Sequence, residues 1–247
     1  MSKSKLAVFR SCPLKFKLLY VDKLKQPKTG YERYANIGND VHKAIENFYK
    51  NDVKIEEKDF KNVTTGTVEK KPVIIMNKEK YKKNKYMKNF IKLKEEILRK
   101  SNDNKHFFPV SQEIDYYSKD INIHGLIDAV YKHYTDDEYI IIDWKSGKIK
   151  DLNDMRKELA FYKLCLDGSG KTLKPVKYWG MYFVKHDYLF FEEVREEFCD
   201  IIKNEVKLVQ DLIDNKYFEK NEGVHCRWCG FRGTRYCTVN KGLNRWE

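Results

Sequence analysis

The sequence has no long hydrophobic run: nowhere do about 18 consecutive apolar residues occur, the length that a membrane-spanning helix needs. Its beginning, MSKSKLAVFRSCPLKF, also lacks the long apolar core and the small-residue cleavage site of a secretory signal. These absences argue against a membrane-spanning protein and against a secreted, disulfide-bonded one. We therefore expect no membrane partner and a cytoplasmic location, where cysteine thiols stay reduced.

Linkers and repeats are missing as well. The chain has only 12 glycines and 5 prolines, no Gly/Ser-rich linker and no internal repeat. Its 247 residues suit one large domain or two small ones, and we predict a single domain over residues 1–247. No GxxxxGK[ST] motif occurs, so a P-loop helicase is excluded and any unwinding of a duplex must come from another protein.

What the chain has in excess is positive charge. It carries 49 lysines and arginines against 37 aspartates and glutamates, a net charge of +12. A basic protein suggests an anionic partner, and nucleic acid is the usual one. The alternative is that the lysines simply form a solvated surface. Hydrophobic residues make up 41% of the chain, enough to build a core.

Helical and strand-like patterns of apolar residues follow one another in a mixed order along the chain. The helical patterns cover residues 13–24, 34–49, 78–100, 152–166 and 198–217, and the strand-like runs cover 110–117, 121–133, 139–144, 176–184 and 188–194. Residues 51–77 are polar with little periodicity, and we interpret them as a variable insert. The order predicts an α/β fold with a mixed central sheet flanked by helices.

Two acidic side chains and a lysine mark the ends of neighbouring strand-like runs. Asp128 ends the segment HGLID, and Asp143 and Lys145 lie two residues apart, on one face of the next run. If the two runs pair through a tight turn, the carboxylates converge. With the backbone carbonyl of Trp144 they would offer the oxygen ligands that Mg²⁺ prefers. The alternative is an exposed ion pair at a strand end, which contributes only about 0–1 kcal/mol.

Cysteine spacing near the end of the chain is typical of a metal centre. Cys226 and Cys229 form a C-x₂-C pair, and Cys237 follows after seven intervening residues. Three thiolates leave one ligand position open, and Cys12 lies in the segment SCPLKF, outside the predicted sheet. The other two cysteines lie inside helical patterns and are interpreted as inert core residues: Cys165 and Cys199.

The segments HGLIDAV and IIIDWKSG resemble the core of the PD-(D/E)XK nucleases, in particular the RecB-like branch, in which Gly-x-x-Asp precedes (Asp/Glu)-x-Lys on the next strand. Upstream, IGNDVHKAIENFY resembles the Gly-x-x-x-His helix of that branch. The resemblance implies that His42, Asp128 and Asp143 bind Mg²⁺ or Mn²⁺, with the Trp144 carbonyl as a further ligand. It implies that Lys145 positions the attacking water and stabilises charge during phosphodiester hydrolysis.

Two further positions are compared with the same branch. Its Gln-x-x-x-Tyr helix contacts DNA, and here Glu158 and Tyr162 occupy the corresponding positions on one helix face. Glutamate lacks the amide donor and brings a negative charge close to the substrate phosphate, so Tyr162 survives the comparison better than Glu158. Glu113 lies before the Gly-x-x-Asp strand, where relatives often carry a glutamate, and we interpret it only as an outer residue of the site.

The cysteines resemble those of the iron–sulfur subgroup of the branch, which includes the AddB nuclease domain and the Cas-four type of CRISPR-associated nuclease. The resemblance implies a [4Fe–4S] cluster that joins residue 12 to residues 222–240, with these four ligands: Cys12, Cys226, Cys229 and Cys237. A Cys₄ zinc site is the alternative, because tetrahedral thiolates suit both metals. His225 could substitute as a ligand, although Cys12 is favoured.

Arginines and aromatic residues are interleaved around these cysteines, and Arg227 and Arg232 are candidate DNA contacts. Taken together, the resemblance implies a metal-dependent DNA exonuclease acting on single-stranded or frayed ends, with a helicase, recombination or integrase partner. One alternative is a CRISPR-adaptation nuclease that trims spacers. Another is a non-catalytic, zinc-stabilised nucleic-acid-binding module.

Overall fold

The computed structural model describes residues 1–27, 32–61, 64, 67–100, 106–133, 137–171 and 174–239. The helices of this part of the chain are α1 (Lys3–Ser11), α2 (Pro13–Phe16), α3 (Glu32–Asn51), α4 (Lys85–Lys100), α5 (Leu152–Asp167) and α6 (Glu196–Asp214). Its strands are β1 (Val53–Lys61), β2 (Val68–Met76), β3 (Ser111–Ser118), β4 (Ile123–Lys132), β5 (Tyr139–Lys145), β6 (Val176–Phe183) and β7 (Tyr188–Glu193). Shorter helical turns cover Lys17–Val21, Glu79–Tyr81 and Val224–Trp228.

A five-stranded sheet in the order β3-β4-β5-β6-β7 forms the centre of the fold. Strands β5 and β6 run parallel, and α5 lies in the connection between them. The other neighbouring strands are antiparallel, including β4 and β5. The predicted α/β architecture with a mixed central sheet is therefore confirmed.

Apolar side chains cover both faces of this sheet. On one face α1, α5 and α6 pack through residues such as Leu6, Leu159 and Ile202. On the opposite face α3 and α4 pack through residues such as Phe48 and Phe90. Since successive strand residues point to opposite faces, Asp143 and Lys145 lie on the α5 face and Trp144, between them, lies on the α3 face. None of the described helices is both long and apolar enough to cross a bilayer.

The beginning of the chain forms more helix than its sequence pattern indicates. The pattern predicts one helix over 13–24, whereas the structure has α1, α2 and a π-helical turn at Lys17–Val21. The caps are Ser2, whose hydroxyl accepts a hydrogen bond from the Lys5 amide at 3.3 Å, and Cys12, which precedes Pro13. Only Leu6 and Phe9 of α1 are fully buried, and two apolar positions are too few to reveal a helical period.

Residues 51–77 contain an antiparallel hairpin, β1 with β2, that no strand pattern indicates. All nine side chains of β1 are exposed or half-buried. A strand without a buried face shows no alternation of apolar and polar residues, so the two-residue period has nothing to mark it.

Candidate active site

Asp128 is held at the junction of β4 and β5. Its side chain is buried, and its Oδ2 accepts a hydrogen bond from the Trp144 amide at 2.7 Å. In an extended strand the N–H and C=O of one residue point to the same side. The Trp144 carbonyl therefore faces the β4 side of the strand as well, next to Asp128.

The pairing of β3 with β4 is interrupted at Asp128. Ile114 pairs with Ile127, but the ladder skips Glu113 and Asp128, which follow the same register. Glu113 has a φ of 51°, in the left-handed region that costs a non-glycine residue on the order of 1–3 kcal/mol. Such strain is concentrated at functional sites, where the surrounding structure holds it in place.

The irregularity also changes which side chains face which way. Ile127 packs into the core beside α5, but Ala129, two residues later, packs into the core on the opposite face. A regular strand would place both on one face. The alternation breaks at Asp128, where the ladder between β3 and β4 skips one pair without a change of register.

His42 reaches this point from α3. Its Nδ1 lies 3.2 Å from Glu113 Oε1 and 3.3 Å from Asp128 Oδ1. One potential ligand atom from each of the three residues lies within 4.8 Å of the other two. Gly38, one turn earlier on α3, faces the loop after β5, where a Cβ would lie 3.6 Å from Ser146 Oγ. Because Gly38 has no side chain, α3 can approach the end of β5 closely.

The pKa of His42 reflects its two acidic neighbours. Burial disfavours the charged imidazole, but hydrogen bonds with Asp128 and Glu113 outweigh burial and raise its pKa to about 10. A bound metal ion would compete with that proton, because an imidazole must be neutral to act as a ligand. The sequence grouped His42 with Asp128 and Asp143; the compact group in the structure has Glu113 as its third member.

Asp143 and Lys145 form an ion pair beside that group. The Lys145 Nζ lies 2.5 Å from Asp143 Oδ2 and 3.0 Å from Glu158 Oε1. Asp143 is 1% exposed, and burial, its largest influence, raises its pKa. Burial opposes the charge of Lys145, but Asp143 and Glu158 outweigh it and raise the pKa of the amine, which stays protonated.

The donors present fit a hard divalent cation. Asp143 contributes a buried carboxylate, which Lys145 and Tyr162 contact. Asp128 and Glu113 add carboxylate oxygens, and His42 adds an imidazole nitrogen. Oxygen-rich sets of this kind suit Mg²⁺ and Mn²⁺.

Glu158 and Tyr162 project from α5 toward this cluster. Glu158 forms ion pairs with Lys3 and Lys150 in addition to Lys145. Burial opposes its ionisation, but the three lysines outweigh it and lower its pKa well below the usual range. The negative charge that the sequence comparison found difficult to explain is therefore balanced by three cations.

Tyr162 lies next to these charges and packs on β4. Its hydroxyl is hydrogen-bonded to Lys3, whose Nζ also lies 4.6 Å from the centre of its ring. Gly125 permits the close packing, since a Cβ there would lie 3.3 Å from the Tyr162 ring. Burial raises the pKa of Tyr162, and the nearby carboxylates raise it further, so the phenol stays neutral.

The four cysteines singled out in the sequence line one cavity. These cysteines are Cys12, Cys226, Cys229 and Cys237, and none of them is in a disulfide. Two hydrogen bonds join the chain segments that carry them: the Leu14 amide donates to the Glu219 carbonyl at 3.2 Å, and Asn221 Nδ2 donates to the Ser11 carbonyl at 3.0 Å. The structure therefore brings these segments together.

The two candidate DNA-contacting arginines lie in the same region. Arg227 is exposed on the helical turn Val224–Trp228, and Arg232 is half-buried and lines the cysteine cavity. Cys165 and Cys199 lie elsewhere, buried in the core beside α5 and α6 as the sequence indicates.

Sequence patterns do not reveal two parts of the site. Glu113 was interpreted as an outer residue, yet the distorted backbone of β3 places it beside His42. Lys3 and Lys150 are lysines among many in this chain, and no spacing distinguishes them. Only long-range contacts identify them, since Lys3 and Glu158 are 155 residues apart in the sequence.

Comparison with known proteins agrees with this geometry. A family model described as the PD-(D/E)XK nuclease superfamily matches residues 1–237 of the chain. No curated protein matches the sequence. The matched range covers nearly the whole chain and includes the acidic residues, Lys145 and all six cysteines. This chain belongs to the PD-(D/E)XK nuclease superfamily.

Proposed function

We propose that the protein is a metal-dependent deoxyribonuclease that hydrolyses phosphodiester bonds. The observation that carries the proposal is the convergence of His42, Glu113 and Asp128 within 4.8 Å, beside the ion pair of Asp143 and Lys145. An oxygen-rich cluster with an adjacent protonated amine suits hydrolysis of a phosphodiester, whose reacting phosphate gathers negative charge.

Each residue has a separate role in this proposal. Asp128, Asp143 and His42 hold Mg²⁺ or Mn²⁺, together with Glu113 and the Trp144 carbonyl. A divalent ion bound there supplies Lewis-acid polarisation of the phosphoryl group.

Lys145, fixed by Asp143 and Glu158, stabilises charge on the reacting phosphate and orients the attacking water. Tyr162 borders the substrate, while Glu158 acts through the lysines that it holds.

The RecB-like branch is the finer assignment that we favour within the superfamily. His42 supports it, because the Gly-x-x-x-His segment on α3 brings an imidazole to the acidic residues. Exonuclease action on single-stranded or frayed DNA ends follows from that assignment. The chain carries no P-loop motif, so we propose that a helicase, recombination or integrase partner presents such ends.

End-labelled DNA tests the activity. We expect the purified protein to shorten labelled single strands in Mg²⁺ or Mn²⁺ and to be inactive in EDTA, because the acidic cluster needs a cation to act. The ladder of labelled products distinguishes stepwise shortening from internal cutting. Intact substrate at every metal concentration, or equal digestion in EDTA, would contradict the proposal.

We also propose a [4Fe–4S] cluster held by Cys12, Cys226, Cys229 and Cys237. All four line one cavity, and Cys12 lies next to the C-terminal segment. A tetrahedral zinc ion with Zn–S bonds of about 2.3 Å would hold its sulfurs about 3.8 Å apart. Among the described residues no three cysteine sulfurs lie within 4.8 Å of one another, so our preference for iron–sulfur over zinc rests on the resemblance of these four positions to the iron–sulfur subgroup. Such a cluster would join the two chain ends.

Anaerobic purification tests the nature of this centre. We expect a brown protein with broad absorption in the blue, and iron and acid-labile sulfide in equal amounts. Cys226→Ser should remove the colour because it removes one thiolate ligand, whereas Cys165→Ser, in the core, should retain it. A colourless protein that contains stoichiometric zinc would decide for the zinc alternative.

A further inference from the structure

A cleft of about 630 Å³ opens beside Lys145, between α1 and α5. Cationic side chains from both helices, from the end of β5 and from the loop after it line the cleft: Lys3, Arg10, Lys145, Lys150 and Lys157. Two acidic residues, Asp154 and Glu158, also line it. The lining is therefore rich in positive charge, and the cleft begins at the lysine that we assign to the reacting phosphate.

The positive charge is held in place by one carboxylate. Glu158 contacts Lys3, Lys145 and Lys150, so three ammonium groups share one carboxylate whose side chain is 9% exposed. Asp143 balances part of the charge of Lys145. Over the whole lining of the cleft five cationic side chains face two acidic ones, and a phosphate in the cleft would offset part of this excess.

Lys3 is positioned by the start of the chain, which is anchored to the sheet. The amino group of Met1 donates a hydrogen bond to the Asn122 carbonyl at 2.6 Å, and the Met1 carbonyl accepts one from the His124 amide at 2.9 Å. Ser2 then caps α1. A lysine fixed in this way loses less conformational freedom when it binds a ligand than a mobile surface lysine does.

Arg10 and Lys157, the two other cations of the cleft, differ in whether an acidic residue already contacts them. Arg10 forms two hydrogen bonds with Glu205 of α6, so its charge is already partly used. Lys157 is half-buried in the cleft wall, and among the described residues it forms no ion pair. It is therefore the cation of the cleft that is most available to an incoming anion.

We propose that this cleft is a phosphate-binding subsite, which takes the nucleotide backbone next to the scissile phosphate. The inference rests on the proposed function, because Lys145 marks the reacting phosphate only if the protein is a nuclease. The lining offers ammonium groups and only one aromatic residue, Phe161, so it suits backbone phosphates and not base stacking.

Binding measured without cleavage tests the subsite. A fluorescein-labelled single-stranded oligonucleotide in EDTA would be titrated with parent protein, Lys157→Ala and Lys157→Glu. A lost phosphate contact should weaken binding about threefold to tenfold for alanine, and more for glutamate. It should also lower the slope of log affinity against log salt concentration by about 0.7.

The matched control is Lys207→Ala, which removes an exposed lysine of α6 that lies outside the cleft lining. Its affinity and salt slope should equal those of the parent. In a cleavage assay with Mg²⁺, Lys157→Ala should raise KM and leave kcat within about twofold, because Lys157 lies outside the catalytic cluster.

The two proposals fail in different ways. Affinity and salt slope unchanged in both folded Lys157 variants would overturn the subsite, whatever the nuclease activity. A loss of affinity in the Lys157 variants no larger than that of Lys207→Ala would also overturn the subsite, since such a loss would reflect the change in net charge alone. Absence of metal-dependent cleavage by the parent would overturn the proposed function, while the EDTA titration would still report on the cleft.

Discussion

Asp128→Asn is expected to lower the rate of DNA cleavage by at least about a hundredfold while leaving the protein folded. The asparagine is nearly isosteric, and its carbonyl oxygen can still accept the hydrogen bond from the Trp144 amide. What is lost is the negative charge beside His42 and Glu113. Outer partners of metal ligands already cost about 10–100-fold when removed, so a direct ligand should cost at least the upper value.

The measurement has two parts. Single-turnover cleavage over a Mn²⁺ titration separates weaker metal binding, which excess metal restores in part, from lost chemistry, which it does not. Thermal unfolding should show a transition close to that of the parent. Asp200→Asn, an exposed acid on α6 that pairs with Lys203, is the control and should cleave normally. Cleavage by Asp128→Asn at the rate of the parent would show that Asp128 is not a metal ligand.

Mutation of Lys145 is less informative than mutation of Asp128, although Lys145 is the residue that we assign to the reacting phosphate. Removing Lys145 leaves Asp143 buried without its partner, and breaking a buried pair in this way costs about 3–5 kcal/mol. A Lys145→Met variant could lose activity simply by losing stability. The double variant Lys145→Met with Asp143→Asn avoids the uncompensated charge, so the pair should be tested together.

The part of the site that depends on local periodicity could be predicted from the sequence. Asp143 and Lys145 share a face because strand side chains alternate, and Asp128 meets them because β4 and β5 are antiparallel neighbours. Glu113 could not be assigned in this way. Its position depends on a backbone φ of 51° that interrupts the alternation.

Long-range contacts account for the rest of what the sequence does not reveal. Lys3 enters the site because Met1 is tied to Asn122, which is 121 residues away, and no local pattern records that contact. The hairpin of β1 and β2 has the opposite problem: with no fully buried residue in β1, it lacks the alternation that would identify it as a strand. In both cases the local sequence pattern does not carry the information, because it depends on contacts or burial in the folded chain.

A second large effect is expected from Lys94, a lysine buried in the core between α4 and the sheet. It is 1% exposed, and its Nζ donates to the Phe107 carbonyl at 2.9 Å. The ammonium also lies 4.7 Å from the Phe107 ring centre and 4.8 Å from that of Tyr131. No carboxylate among the described residues forms an ion pair with it, and burial lowers its pKa to about 7.

The sign of the pH effect follows from this lowered pKa. In the unfolded chain the lysine titrates near 10.5, so between pH 7 and pH 10.5 the unfolded state binds more protons than the folded state. The free energy of unfolding therefore rises with pH over this window, by about 1.4 kcal/mol per pH unit and by up to about 5 kcal/mol in total. Below about pH 7 both states are protonated and the contribution is constant.

Lys94→Met should remove this pH dependence, because methionine fills a similar volume and does not titrate. We expect the difference in unfolding free energy, parent minus variant, to grow as pH is raised from 7 to 10, as measured by urea denaturation. Other groups titrate in both proteins and cancel in the difference. Lys88→Met, at an exposed position of the same helix, should show no such trend. A constant difference across the window for Lys94→Met would mean that the buried ammonium keeps an ordinary pKa, with the aromatic rings and the Phe107 carbonyl fully replacing its hydration.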